Sequence, residues 1–314
     1  MTAPFTILLT SAGRRVALLR LLRADARALG LEPRILTTDL APELSAACAE
    51  ADLAVPAPRA TDPAYGAFLS ALCAREKVRL LVPTIDPELA PIAAIADALR
   101  AAGTAVNISS PASIAIARDK EATMRALHAA GIAVPRSFTP AEAAAWGGAM
   151  IAKPRDGSAS KGVRVVGPEE LATLPAGMLV QEQLAGAEFT VNLFVHQGRT
   201  VAAVPHQRLA VRAGEVEKGI TRRVPALAEI AARLPAALPG LSGVLCFQAI
   251  TTDDGPKVFE VNARFGGGFP LAHRAGAPFT RWLIADAAGL AWAPDDDWQD
   301  GITMLRFDDA VFTP

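Results

Sequence analysis

Cysteine is scarce in this sequence: Cys48, Cys73 and Cys246 are odd in number, far apart, and set among apolar or alanine-rich neighbours. They build neither a disulfide framework nor a zinc pattern, and a reducing cytoplasm is the compartment they fit. Histidine is sparse too. His128, His196, His206 and His273 form no HExxH or comparable pair, which argues against a zinc hydrolase. An excess of charge of either sign is also missing, since Lys+Arg 31 against Asp+Glu 32 leaves a formal charge of -1. A chain without a global basic field is not built to grip a nucleic-acid backbone, so any phosphate binding must be local. No stretch approaches the ~18 uninterrupted apolar residues of a membrane span. MTAPFTILLT carries no basic segment ahead of its short apolar run, so the expectation is a cytoplasmic chain, neither exported nor membrane-embedded. Tandem repeats and low-complexity tails are absent as well.

What is present begins with a regular rhythm. FTILLT reads as a buried strand, and RRVALLRLLRADARALG carries apolar residues at helical spacing up to Gly30. PRILTTD follows as a strand, then a loop ending in DLAVP, a helix through DPAYGAFLSALCARE, the strand RLLVPTID, the helix PELAPIAAIADALRAAG and the short strand TAVNIS. Apolar strands alternating with helices predict a doubly wound parallel sheet over residues 1–108. From Ser110 the rhythm changes. One helical segment, PASIAIARDKEATMRALHAAG, leads into strand-like runs joined by glycine turns. EFTVNLFVH with RTVAAVPHQ, and VLCFQAITT with KVFEVNA, read as hairpins. The second part is therefore α+β with antiparallel sheets, and 314 residues suffice for two or three lobes, each burying a core.

Three stretches carry chemistry. In AMIAKPRDGSASKGVRVV a buried strand ends in Lys153, and a loop of small residues from Gly157 through Ser158 and Ser160 to Gly162 leads into the next strand. Small residues let backbone amides approach an anion, and a lysine at the mouth supplies compact positive charge suited to phosphate. Upstream, Lys120 starts a helix; downstream, QEQLAGAEFTV ends one strand and places Glu188 at the start of another. A strand end beside a turn offers free main-chain groups for an adenine edge, and a carboxylate nearby can hold ribose hydroxyls. Third, VFEVNARFGGGFP puts Phe259, Val261 and Ala263 on one face and Glu260, Asn262 and Arg264 on the other, then breaks into Gly266, Gly267 and Gly268. Gln248 of the partner strand is the residue expected on that polar face. Magnesium takes hard oxygen ligands and only one or two carboxylates, which Glu260, Asn262 and Gln248 satisfy. Each stretch alone is equally readable as a solvated face or a loose hairpin tip. Their order is what is specific.

That order, Lys120, AKP with its glycine-rich loop, QEQLAGAEFTV, FQ in one strand and FEVNARFGGG in the next, resembles the ATP-grasp superfamily. It is most similar to the carboxylate-amine ligases related to the large chain of carbamoyl phosphate synthetase. The resemblance covers essentially the whole chain and implies a pre-ATP-grasp, Rossmann-like domain over 1–108, a small lobe with the glycine-rich lid over 109–184, and a large lobe with the metal and phosphate site over 185–314. It implies ATP and magnesium, or manganese, as cofactors. Lys120 and Lys153 would hold phosphates under the loop of Gly157, Ser158, Ser160 and Gly162. Main chain near Gln181 and Leu184 would read adenine, and Glu188 would bind ribose. Gln248, Glu260 and Asn262 would hold metal, Arg264 would stabilise the reacting phosphoryl and carboxylate, and Lys218 and Arg222 would reach phosphate. Many relatives carry a carboxylate where Gln248 stands, which weakens a second metal position.

The implied reaction makes an acyl phosphate from a small carboxylic acid, an amino acid being the foremost example, and passes it to an amine. Both substrates are small molecules, and a homodimer is implied. A small-molecule kinase and a non-catalytic nucleotide binder on the same scaffold remain open at this point. Ser11 to Arg15, between a strand and a helix, has only Gly13 of the three glycines a dinucleotide site needs. The resemblance implies instead that this loop, with Thr84 and Asp86, lines the substrate cleft.

Overall fold

A computed structural model describes residues 3–157 and 162–313. Strands β1 (Phe5–Leu9), β2 (Pro33–Asp39), β3 (Leu53–Pro56), β4 (Leu80–Val82) and β5 (Ala105–Val106) form an all-parallel sheet in the order β3-β2-β1-β4-β5. The crossovers carry helices α1 (Val16–Ala28), α2 (Ala46–Ala49), α3 (Tyr65–Glu76) and α4 (Leu89–Ala101). The strand order reverses between β1 and β4. In open parallel sheets the crevice beyond the carboxyl ends of two such strands is where ligands bind, because the following loops diverge there. Here those loops are Ser11–Arg15 and Pro83–Asp86, joined by the Thr84 hydroxyl, which donates to the carbonyls of Thr10 at 3.0 Å and Ser11 at 2.7 Å.

Two differences from the sequence expectation have local causes. DLAVP is no loop: β3 pairs in parallel with β2, from Leu36 opposite Leu53 to Asp39 opposite Pro56. The helical run after Ser110 is two helices, α5 (Pro111–Arg118) and α6 (Lys120–Ala129), separated by Asp119. Asp119 is extended, and its carboxylate accepts from the amides of Glu121 at 2.9 Å and Ala122 at 3.1 Å. A side chain that caps a new N-terminus outcompetes continuation of the old helix.

The remaining strands are antiparallel. β6 (Ser137–Phe138), β7 (Met150–Pro154), β8 (Arg164–Val166) and β9 (Met178–Glu182) make a small sheet with α7 (Pro140–Ala145) against it. β10 (Ala187–His196), β11 (Arg199–Arg212), β12 (Glu215–Thr221), β13 (Gly243–Thr252), β14 (Gly255–Asn262) and β15 (Thr303–Leu305) make a six-stranded sheet in the order β14-β13-β10-β11-β12-β15. Helices α8 (Pro225–Ala237), α9 (Phe269–Arg274) and α10 (Phe279–Ala288) pack with it. Among the described residues no helix is long and apolar enough to cross a membrane.

The cores do not follow the sheets one for one. One cluster joins Ile7, Leu9, Leu19 and Leu22 of the parallel sheet and α1 to Phe194, Phe279, Trp282 and Ile284 of the C-terminal part. Under the large sheet, α6 and α8 meet β10, β13 and β14 in a second cluster. By contrast the small sheet has its own cluster of five buried residues, Phe138, Ala143, Met150, Ala152 and Val166.

Candidate active site

Two cavities meet on one face of the β13–β14 hairpin. The first, about 330 Å³, lies between the small and large sheets; the second, about 240 Å³, opens toward the loops after β1 and β4. Gln248 and Glu260 border both. Antiparallel register brings them together: Gln248 is directly opposite Glu260, and Cys246 opposite Asn262.

Past Gln248 the register slips, so that Ala249 pairs with Val258 and Phe259 is the extra residue of a β-bulge. This corrects the strict alternation expected for VFEVNA. Val258 and Val261 are buried in the core, whereas Phe259 joins Glu260 on the wall of the first cavity. An apolar ring there, with Ile151 and Ile250, suits a planar base.

Lys153, on β7, is 6% exposed; its Nζ donates to the Phe259 carbonyl at 3.3 Å and lies 5.6 Å from that ring's centroid. Burial pushes its ammonium down to about 8, against the pull of Glu260 and with a further push from Lys120. Lys120, the first residue of α6, donates from Nζ to the Gly157 carbonyl at 2.8 Å. Gly157 has φ of 113°, a conformation that costs glycine little. Ser158 and Ser160 lie outside the described residues; Gly162 follows them and packs against Pro154.

Gln181 is buried on β9, its amide donating to Ser137 Oγ at 3.0 Å while its oxygen, also buried, has no protein partner. β9 ends at Glu182, so the main chain at Leu184 runs along the cavity beyond the ladder. An orphaned buried acceptor beside free main chain fits an adenine edge, which needs a partner for its amino group. Glu188, on β10, also lines this cavity, where it is paired to Arg208 Nη1 at 2.5 Å.

The candidate metal ligands are close but already engaged. Gln248 Oε1 accepts from Arg208 at 3.1 Å, and Asn262 Oδ1 from Arg264 Nη2 at 2.9 Å. Glu260 therefore offers the one carboxylate of the set, and among the described residues no group of three or more His, Cys, Asp and Glu could hold a metal. That donor set fits magnesium that takes most of its ligands from phosphates and water, and fits no all-protein cage.

Arg264 donates to Asp86 at 2.7 Å across the junction with the parallel sheet. Burial by itself would lower its pKa, but Asp86, Cys246 and Glu260 outweigh it and raise the guanidinium well above its usual value. The β11–β12 turn closes the same cavity. Ala213 and Gly214, with φ of 51° and 79°, make the two-residue turn whose twist suits a hairpin. Arg208 holds the Gly214 carbonyl at 2.9 Å, and Glu215, next in the chain, reaches Arg15 at 3.1 Å and Arg306 at 3.0 Å.

The structure thus gathers Lys120, Lys153, Gly157, Gln181, Leu184, Glu188, Gln248 and Glu260 around the first cavity, and Asn262 and Arg264 around the second. Arg15, Thr84 and Asp86 join the second from the other domain. Lys218 and Arg222 are not brought there. Lys218 is exposed opposite Leu305 of the edge strand, Arg222 is exposed beyond the end of β12, and neither lines either cavity. Arg208 and Glu215 escaped the sequence reading, whereas Arg15 belongs to the Ser11 to Arg15 loop expected to line the cleft. A faint signal existed for Arg208, which shares strand parity with His206 in an otherwise apolar run.

Residues 117–268 match the family profile of the ATP-grasp domain, and residues 7–107 that of the PylC-like N-terminal domain. A phosphoribosylamine-glycine ligase of Methanoregula boonei is 29% identical over 222 residues, covering 58% of this chain and 52% of that protein. The chain thus spans about half the length of that relative. The 2-oxoglutarate carboxylase biotin carboxylase domain of Hydrogenobacter thermophilus, crystallised as a dimer with MgADP, ADP and bicarbonate, superposes with a TM-score of 0.72 at 17% identity, covering 96% of this chain and 74% of that one. The L-amino acid ligase of Bacillus licheniformis superposes with a TM-score of 0.67 at 18% identity, covering 94% and 76%. This chain belongs to the ATP-grasp superfamily, with a PylC-like N-terminal domain ahead of its ATP-grasp domain.

Proposed function

We propose that the protein is an ATP- and magnesium-dependent ligase that activates a small carboxylic acid as an acyl phosphate and joins it to an amine. One observation carries this reading: a cavity with lysines and an apolar wall meets a second, arginine-lined cavity at Glu260 and Gln248. Two substrates in contact across one carboxylate is the arrangement phosphoryl transfer between them requires. In this reading residues 1–108 form the pre-ATP-grasp domain, 109–184 the small lobe and 185–314 the large lobe.

Lys120 and Lys153 bind the phosphates, main chain near Gln181 and Leu184 binds the base, and Glu188 the ribose. Magnesium, held by Glu260 with Gln248 and Asn262, would neutralise phosphate charge. Arg264 orients the acid. A carboxylate oxygen attacks the terminal phosphorus and the bond to the ADP oxygen breaks. The amine nitrogen then attacks the acyl carbon, phosphate leaves, and the nitrogen loses its proton. No side-chain nucleophile is needed.

The test is phosphate release from ATP across pooled acids with hydroxylamine as surrogate amine. Acid-dependent phosphate with a hydroxamate is expected; ADP with a stable phosphorylated product and no hydroxamate would replace the ligase by a kinase. Glu260→Gln should lower turnover on the order of 10²-fold or more, as loss of a transition-state electrostatic group does. Full activity in that variant would sink the metal assignment.

A further inference from the structure

The arginines of the second cavity are unequally partnered. Arg264 is matched by Asp86 and Arg208 by Glu188, but Arg15 and Arg306 share the single carboxylate of Glu215. Arg15 stands out among them. Its side chain is 19% exposed and lines the cavity, and among the described residues its guanidinium makes one ion pair and no hydrogen bond. A guanidinium carries five N–H donors in a planar fork, and a desolvated one with its donors unspent is shaped for a carboxylate or phosphate. Arg15 comes from the loop after β1, whereas Arg264 follows β14 and bonds Asn262 of the metal candidates. A substrate in this cavity meets both guanidiniums.

We infer that the activated acid carries a second anionic group, held by Arg15, besides the carboxylate that Arg264 presents to ATP. The substrate class is a small diacid, including acidic amino acids and phosphorylated acids. This rests on the ligase reading for which carboxylate reacts, but the anion site itself does not.

The experiment compares matched pairs differing only in the second anion: succinate with succinamate, L-glutamate with L-glutamine, O-phospho-L-serine with L-serine. Binding is read by calorimetry with magnesium and a non-hydrolysable ATP analogue, and turnover by phosphate release. In the wild type the dianionic member of at least one pair should bind roughly 10- to 100-fold tighter, the worth of a charge-assisted hydrogen bond. A gap in the dicarboxylates assigns a carboxylate, and a gap only with phosphoserine assigns a phosphate. Arg15→Gln should erase that gap, raising KM for the dianion by far more than for its amide or alcohol partner. Arg15→Lys, with folding checked by thermal unfolding, should retain part of the preference. Equal binding within every pair, or an Arg15→Gln effect of the same size on both members, overturns the inference. Dianion-dependent binding without acid-dependent phosphate release would keep the anion site and remove the ligase reading. Phosphate release with monoacids alone would do the reverse.

Discussion

Gly266, Gly267 and Gly268 line the second cavity, where neighbouring side chains leave little room for a Cβ. A Cβ on Gly268 would sit 2.5 Å from His206 Nε2, and one on Gly267 would sit 2.8 Å from the Glu215 carboxyl carbon. His206 is fully buried, and burial, with Arg208 and Arg306 nearby, pushes it down to about 3, so it is a neutral wedge with no room to retreat. Glu215 is a half-exposed side chain that can swing away. Gly268→Ala should therefore cost roughly 1–3 kcal/mol, the usual range for overpacking, and Gly267→Ala distinctly less; chemical denaturation of both variants checks the order.

Lys153 gives a second test at this scale. Its ammonium is lowered to about 8, below the ~10.4 of an unfolded lysine, so the unliganded fold gains stability from this group as pH rises between those values. Nucleotide phosphates favour the charged form. Binding of ATP near pH 8.5 should therefore take up protons, roughly a fraction of one per site, seen as an enthalpy that varies with buffer ionisation. Absence of uptake would show that Lys153 does not meet the phosphates.

At the scale of elements, the alternation of Glu260, Asn262 and Arg264 was legible because period two is a property of the strand alone. Phe259 was misassigned because a bulge depends on the partner strand, and no local residue announces it. The helix break at Asp119 could be seen only as a cap competing with a long apolar period. The small sheet of β6 to β9 invites a measurement. Its separate cluster of five buried residues is slight beside the cores under the large sheets, and few buried contacts mean low-energy opening. Amides of β7 to β9 should exchange hydrogen faster than those of β10 and β13, and an ATP analogue should slow them selectively. Equal protection without nucleotide would argue against a lobe that closes.

Across the whole molecule, the second cavity was the hardest part to foresee. Arg264 and Asp86 are 178 positions apart, and their meeting depends on how the parallel sheet docks on the large one. One side chain anchors that docking. Asp25 of α1 is 2% exposed and accepts from His273 at 2.8 Å, Thr280 at 2.5 Å and Arg281 at 3.0 Å. Burial would raise its pKa, but the hydrogen bonds of His273 and Thr280, with the charge of Arg281, hold it below the usual range. Its contribution is thus present above the unfolded value of ~3.9 and is lost as pH falls through the folded one. Asp25→Ala should destabilise by about 3–5 kcal/mol, the range for stripping one partner from a buried pair, and should flatten the acid side of the stability curve.

The core shared by β1, α1, Phe194 and Trp282 bears on how such proteins can be diversified. The N-terminal sheet is no cassette to be swapped between relatives: cutting it away would bare both halves of one interior. In the ligase reading, a change of acid preference would come from point changes at the rim, at Arg15 or along the β11–β12 turn, while the seam beneath is inherited intact.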